Sequence, residues 1–175
     1  MSNPFFKNKG PYDILEILKL LNLNSNKFQK RNVHDVKDLL SASNNDLTFF
    51  YLKKYKELAN FTKAAFCITT DSLKNELPKH CKPLIVKNVL ISTSIVTSKF
   101  YPDSVNDNFD SEVTDISDTT YKNKILFGKN VLIGKNVTLG SNCSIGHNTI
   151  IEKNVYIGEN CSIGSNTIIR NSLIG

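Results

Sequence analysis

Apolar residues follow two different rhythms along this chain. From Phe127 onward they recur every six positions without a slip, at Ile133, Leu139, Ile145, Ile151, Ile157, Ile163 and Ile169. Two thirds of a unit after each anchor sits a small residue: Val131, Val137, Cys143, Thr149, Val155, Cys161 and Thr167. Asn precedes each of these, from Asn130 to Asn166, and Gly follows most anchors, as at Gly128, Gly134, Gly140 and Gly146. A six-residue period matches neither the 3.6 of a helix nor the alternation of a lone strand. It predicts a stacked β-solenoid in which three hexads make one triangular coil of about 18 residues. Residues one coil apart then stack roughly 4.8 Å apart. Cys143 is expected on Cys161, Thr149 on Thr167 and Val137 on Val155, with Ile133, Ile151 and Ile169 as one aliphatic column. Asn suits the corners because it tolerates left-handed backbone, and Gly after the anchor relieves crowding there.

The first hundred residues have no such period. Asp13 and Glu16 form a capping pattern ahead of Ile14, Ile17, Leu18 and Leu21, which predicts a short amphipathic helix over about 13–22. Asn44-Asn45-Asp46 reads as a turn leading into a strand from Leu47 to Phe50. Tyr51 to Asn60 reads as helical, with Tyr55, Leu58 and Ala59 on one side. Ala64 to Thr69 and Leu84 to Val86 read as strands. The Val, Ile and Thr content of 89–100 favours strand, but an α/β alternation is better served by a helix there, and helix is the expectation. Residues 103–118 hold six acidic residues, among them Asp103, Asp110, Glu112 and Asp115, and no Lys or Arg. They are expected to form a loose, solvated linker. The domains expected are therefore an α/β domain over 1–102, an acidic linker over 103–118 and an incomplete β-helix over 119–175.

Three irregularities in the hexads carry expectations of their own. Glu152 and Arg170 stand where Gly is expected and lie one coil apart, so they should stack as an exposed ion pair. Leu132, Ile150 and Ile168 should form an outward apolar column, which needs a cover such as another subunit. After Ile169 the next anchor, Ile174, comes one residue early, and the sequence stops at Gly175 with fewer than three coils and no capping helix. Solenoids need covered ends, so the chain reads as the front part of a longer protein.

Composition narrows the partners. The 175 residues carry a net charge of +6 and are 40% hydrophobic. That is enough apolar content for a core, and a basic balance suits an acidic partner or a Lys-rich solvated surface. Basic residues do not cluster with aromatics as a nucleic-acid reader requires, so no nucleic acid is expected. Neither a signal peptide nor a membrane span is visible, and the expected setting is cytoplasmic. Cys67, Cys81, Cys143 and Cys161 show no CxxC spacing. They are expected as small buried thiols, with no metal site and no cofactor.

Specific motifs then point to a family. Gly10-Pro11-Tyr12 before the first helix, Asp46-Leu47-Thr48-Phe49-Phe50 followed by Lys54-Tyr55, and Thr62-Lys63-Ala64-Ala65-Phe66 together resemble bacterial UDP-3-O-(3-hydroxyacyl)glucosamine N-acyltransferase of lipid A biosynthesis. Hexads are shared by many acyl- and acetyltransferases; their pairing with this N-terminal segment is more specific. The resemblance implies an α+β N-terminal domain followed by a left-handed parallel β-helix, assembled as a homotrimer. It implies transfer of a 3-hydroxyacyl chain from acyl carrier protein to the 2-amino group of UDP-3-O-acylglucosamine. It also implies that Phe49 and Tyr55 hold the uracil between aromatic faces.

Two departures from the family's pattern stand out. Leu52 replaces an Asn that reaches the nucleotide, and Asn88-Val89 replaces an Asn-Pro. The family's catalytic His lies in a later coil, beyond Gly175, so the catalytic residue of this chain is unknown. Ile145-Gly146-His147-Asn148 imitates that unit but comes too early, and His147 is expected to be a water-facing corner residue. His34 and His80 are expected at the surface or in packing roles. Two other readings stay open: a different hexapeptide-repeat transferase using acyl- or acetyl-CoA, or a non-catalytic solenoid that mediates assembly.

Overall fold

Residues 5–104 and 108–175 are described by a computed structural model, and the chain divides into two units, 1–106 and 107–175. The first unit is built on a three-stranded parallel sheet of β3 (Leu47–Phe50), β4 (Phe66–Thr69) and β5 (Lys82–Ile85), in that order. A small antiparallel pair, β1 (Tyr12–Asp13) and β2 (Asn32–Val33), stands apart from it. Helices α1 (Ile14–Leu20), α2 (Lys56–Phe61) and α3 (Val89–Phe100) complete the unit.

Side-chain alternation splits the core of this unit into two layers. Phe66 and Ile68 of β4 pack with Ile14, Ile17 and Leu18 of α1 and with Val89, Val96 and Phe100 of α3. Cys67, between them, faces the other way and packs with Phe50, Ala59, Ala64 and Cys81. All four residues of β4 are buried, as expected of a strand covered on both faces. The sheet is parallel and needs crossovers between its strands, so the layering is α/β rather than the α+β arrangement that the resemblance implied.

Local signals account for the element ends. Asp13 caps α1 by accepting from the Leu15 amide at 2.8 Å. The helix stops at Leu20, two residues short of expectation. Asn22 adopts φ 54°, while the Asn22 and Leu23 amides donate back to Lys19 and Leu18 at 3.1 and 2.8 Å. That is a Schellman closure. Residues 89–100 do form a helix, and Asn88 caps it through the Ile91 amide at 3.1 Å.

The second unit winds through three parallel sheets. One joins β7 (Leu126–Phe127), β10 (Ser144–Ile145) and β13 (Ser162–Ile163). Another joins β8 (Leu132–Ile133), β11 (Ile150–Ile151) and β14 (Ile168–Ile169). The third joins β9 (Val137–Leu139), β12 (Val155–Ile157) and β15 (Ser172–Ile174). Every pairing links residues 18 apart except the last, where Val155 meets Ser172 and Ile157 meets Ile174. The early anchor at Ile174 is thus absorbed by a coil one residue shorter. Cys143 and Cys161 are on adjacent rungs, the Ser144 amide donating to the Cys161 carbonyl at 2.9 Å. These sheets and the hexad register have the arrangement of a parallel β-helix.

All seven hexad Asn residues from Asn130 to Asn166 hold φ between 54° and 59°, and Asn171 follows at 46°. The side-chain amides of Asn130 and Asn136 donate to Asn148 and Asn154, one coil on, at 2.9 and 3.0 Å. Glycine serves another purpose than backbone freedom, since none has positive φ. A Cβ on Gly140 would lie 2.5 Å from the Gly158 carbonyl carbon and 2.6 Å from the Glu159 nitrogen. Adjacent coils approach too closely there for any side chain.

Two expectations are corrected. The loose linker expected over 103–118 is structured from 108 onward, residues 105–107 lying outside the described residues. β6 (Thr114–Asp115) pairs antiparallel with β8 and covers its free edge, and Ile116 enters the core at 1% exposure. The acidic side chains have work there: Asp110 accepts from the Lys135 amide at 3.2 Å, Glu112 pairs with Lys135, and Asp115 accepts from the Ser117 amide. The Glu152–Arg170 pair forms at 4.0 Å, but Glu152 is buried rather than exposed. It lies between the coils carrying Gly134 and Arg170, and stacking takes it out of water. The column Leu132, Ile150 and Ile168 is in register as expected, with Ile168 67% exposed.

Candidate functional site

The carboxyl end of β3 opens into a cavity of about 250 Å³ in the first unit. Open α/β sheets bind ligands outside the carboxyl ends of their strands. Alternation decides what each residue of this stretch does. Phe50 turns into the lower core at 1% exposure. Phe49 packs against the opposite layer while its ring also lines the cavity. Beyond the strand, Tyr51 emerges half into solvent, and a turn over Lys53–Tyr55 brings Tyr55 back to the same cavity ahead of α2. Leu58, one turn into α2, closes one wall, and Asp38, Leu39 and Leu40 close another.

Flat apolar surfaces dominate the lining. The Phe49 and Tyr51 rings lie 6.5 Å apart at 27°, and Tyr51 and Tyr55 lie 6.5 Å apart at 52°. The Lys54 ammonium stands 4.7 Å over the Tyr55 ring, a cation–π contact that holds that ring in place. Asp38 is the one carboxylate in the wall. It accepts from the Ser41 hydroxyl and from the Ser41 and Leu40 amides, and the Ser41 bonds first of all hold its carboxyl below the usual aspartate range. The site therefore combines stacking faces with one fixed negative charge, the makings of a pocket for a planar, neutral ring.

Phe49 and Tyr55, singled out from the sequence, thus line one cavity. Tyr51 was missed, although its position two residues beyond Phe49 on an extended run places both side chains on one side. Leu58, expected on one side of its helix with Tyr55 and Ala59, is 37% exposed and lines the same cavity as Tyr55. Asp38 to Leu40 come from a distant turn and left no local signal. Leu52 is exposed and does not line the cavity.

The histidines lie elsewhere. His147 is an exposed corner residue whose Nδ1 accepts from the Lys129 amide at 2.8 Å, which ties two coils together. His34 is exposed. The His80 Nε2 lies 3.0 Å from the Thr62 carbonyl, at a depression near the amino end of the sheet shared with Arg31 and Lys63. Among the described residues, no group of three His, Cys, Asp or Glu is placed to hold a metal ion, and no helix is long and apolar enough to cross a membrane.

The chain thus joins an α/β unit carrying an aromatic cavity to a unit of hexapeptide repeats. Residues 136–171 match the family model described as bacterial transferase hexapeptide (six repeats). Residues 30–97, which include the whole cavity wall, match the model of UDP-3-O-(3-hydroxymyristoyl) glucosamine N-acyltransferase, LpxD. The chain is also similar to proteins named UDP-3-O-acylglucosamine N-acyltransferase. That of Rickettsia rickettsii (strain Sheila Smith) is 31% identical over 103 residues, covering 58% of this chain and 30% of the relative. That of Rickettsia prowazekii (strain Madrid E) is 31% identical over 111 residues with the same coverage. That of Rickettsia akari (strain Hartford) is 37% identical over 79 residues, covering 43% and 23%. The chain spans about 30% of the length of the first of these relatives.

Proposed function

We propose that this chain supplies the nucleotide-binding part of an N-acyltransferase acting on UDP-3-O-acylglucosamine in lipid A biosynthesis. The aromatic cavity, lying wholly inside the segment that matches the acyltransferase family model, is the observation that carries this reading. In the reaction, the 2-amino group of the sugar attacks the thioester carbonyl of a 3-hydroxyacyl chain on acyl carrier protein. The amide C–N bond forms, the C–S bond breaks, and the carrier leaves as its thiol with the amine's proton. A general base is required for that proton, and none of the three histidines lines the cavity. This chain's part is to bind and orient the uridine end, with Phe49 and Tyr55 against the uracil. The hexad register supports a left-handed β-helix, and the apolar column of half-buried Leu132 and Ile150 with exposed Ile168 supports a homotrimer with that face covered. The net charge of +6 suits an acidic carrier protein, and the setting proposed is the cytoplasm.

Titration calorimetry with UDP tests the reading. Wild-type protein should bind, and Phe49→Ala should weaken binding about tenfold, the usual worth of one stacking face. Equal affinity in both proteins, or no binding in either, would remove the uridine assignment.

A further inference from the structure

The amino end of the sheet in the first unit carries a depression whose chemistry is the reverse of the aromatic cavity's. One lobe, of about 540 Å³, is lined by Arg31, Lys63 and His80 together with Ser43 and Asn44. An adjoining lobe, of about 180 Å³, adds Lys30, Lys82 and the rings of Phe28 and Phe66. Arg31, Ala65 and His80 line both lobes, so the two are continuous. Four Lys or Arg side chains thus ring the depression with no carboxylate in its lining, whereas no basic residue lines the aromatic cavity. None of the four has an ion-pair partner among the described residues. Asp46, to which Ser43 donates, is buried and engaged by Lys37 at 3.0 Å.

Two of these cations are held in place. The Arg31 guanidinium donates to the Asn44 carbonyl and lies 5.9 Å over the Phe66 ring, and the Lys82 ammonium lies 5.9 Å over the Phe28 ring. Those contacts leave most of the guanidinium hydrogens and those of the ammonium free for a ligand. Like charges drawn together from three separate stretches of chain repel one another and focus a positive field that an anion relieves. We infer that this depression is a second ligand site, for a diphosphate or an anion of similar size and charge, with Arg31 bridging the two lobes, Lys63 serving one and Lys82 the other. A concave site suits a small ligand, the planar fork of Arg matches phosphate oxygens, and two lobes match two charged groups. The inference stands apart from the uridine reading, since the two sites share no lining residue.

Calorimetric titration of the 175-residue chain with inorganic pyrophosphate at low salt tests it. Wild-type protein should bind, and Lys63→Gln/Lys82→Gln, which removes one cation from each lobe, should lose about tenfold or more in affinity, the worth of at least one charge-assisted hydrogen bond. Arg31→Lys keeps the charge but not the fork and should lose about threefold. Lys63 and Lys82 are exposed, so unchanged far-ultraviolet circular dichroism of the double variant is expected. Its affinity for UDP should equal that of wild type, and Phe49→Ala should bind pyrophosphate as wild type does. A site that is absent, or that is unmoved by the double substitution, would overturn the inference and leave the uridine reading standing. A parallel fall in UDP affinity would overturn it too, by making the depression the seat of the nucleotide's own diphosphate. Retention on phosphatidylglycerol vesicles without any heat from pyrophosphate would overturn it in favour of a lipid surface.

Discussion

In the coiled unit almost every buried side chain has an equivalent one coil away; in the α/β unit none does. Ile151 packs between Ile133 and Ile169, its own kind above and below. Phe100, by contrast, meets Tyr12 edge-on at 5.0 Å across most of that unit's sequence, and the Tyr101 hydroxyl donates to Asp35 at 2.7 Å. Repetition makes positions interchangeable in sequence, but it does not make them energetically equal, because cost depends on what lies in the adjacent coil. Uniqueness has the opposite effect: each core group of the α/β unit must satisfy its own partners, and no neighbour offers a substitute.

Gly146 and Gly164 put the first half of that comparison under the largest strain. They hold the same place in their hexads. A Cβ on Gly146 would lie 2.7 Å from the Gly164 carbonyl carbon and nearer still to the Ser165 amide nitrogen, neither of which can move aside alone. A Cβ on Gly164 would meet nothing closer than the Thr167 hydroxyl at 3.9 Å. Gly146→Ala should therefore cost about 2–3 kcal/mol by forcing the coils apart. Gly164→Ala in this chain should fall within about 0.5 kcal/mol of wild type. Urea unfolding of both variants decides it, and equal losses would mean that the conformational freedom of glycine matters here, not the spacing of coils.

Asp46 tests the uniqueness of the α/β unit with a somewhat smaller effect. It is 1% exposed. Its carboxylate accepts from the Ser43 hydroxyl at 2.7 Å, the Ser43 amide at 2.9 Å and the Lys37 ammonium at 3.0 Å. Burial pushes its pKa upward, but these donors outweigh burial and hold the carboxyl below 3.8. The folded value being the lower, the stabilisation is complete above the unfolded value and is lost as pH falls through the folded one. Asp46→Asn should cost about 2 kcal/mol at neutral pH. Below about pH 4 its melting temperature should fall less steeply than that of wild type, and parallel curves would remove Asp46 as the acid-sensitive group.

The two units also differed in how much of them could be read before the structure. Hexad spacing gave the strands, their partners, the Asn corners and even the early anchor at Ile174, because each of these is a consequence of one local period. It did not reveal that Asp110 to Ile116 folds onto the first coil, since a run of carboxylates has no periodicity to betray its partners. In the α/β unit, capping and alternation placed α1, β3 and β4 closely. The cavity was legible only in Phe49 and Tyr55, through a motif. Asp38 to Leu40 reach it from a separate turn, and tertiary proximity of that kind leaves no trace in a linear pattern.

Asn148 brings the smallest effect and the finest test of repetition. Its φ of 55° lies in the left-handed region, where a Cβ costs roughly 1 kcal/mol unless the side chain compensates. Its oxygen accepts from the Asn130 amide at 2.9 Å and its own amide donates to Asn166 at 3.4 Å, so it is the middle rung of an exposed ladder. Asn148→Ala loses both the backbone tolerance and the ladder, and should cost about 1 kcal/mol. Asn148→Gly loses the ladder alone and regains the backbone, so it should cost only a few tenths. If the glycine variant instead falls as far as the alanine one, the corner is held by the stacked amides and not by the left-handed turn. The seven-fold recurrence of Asn would then be selected for its side chain.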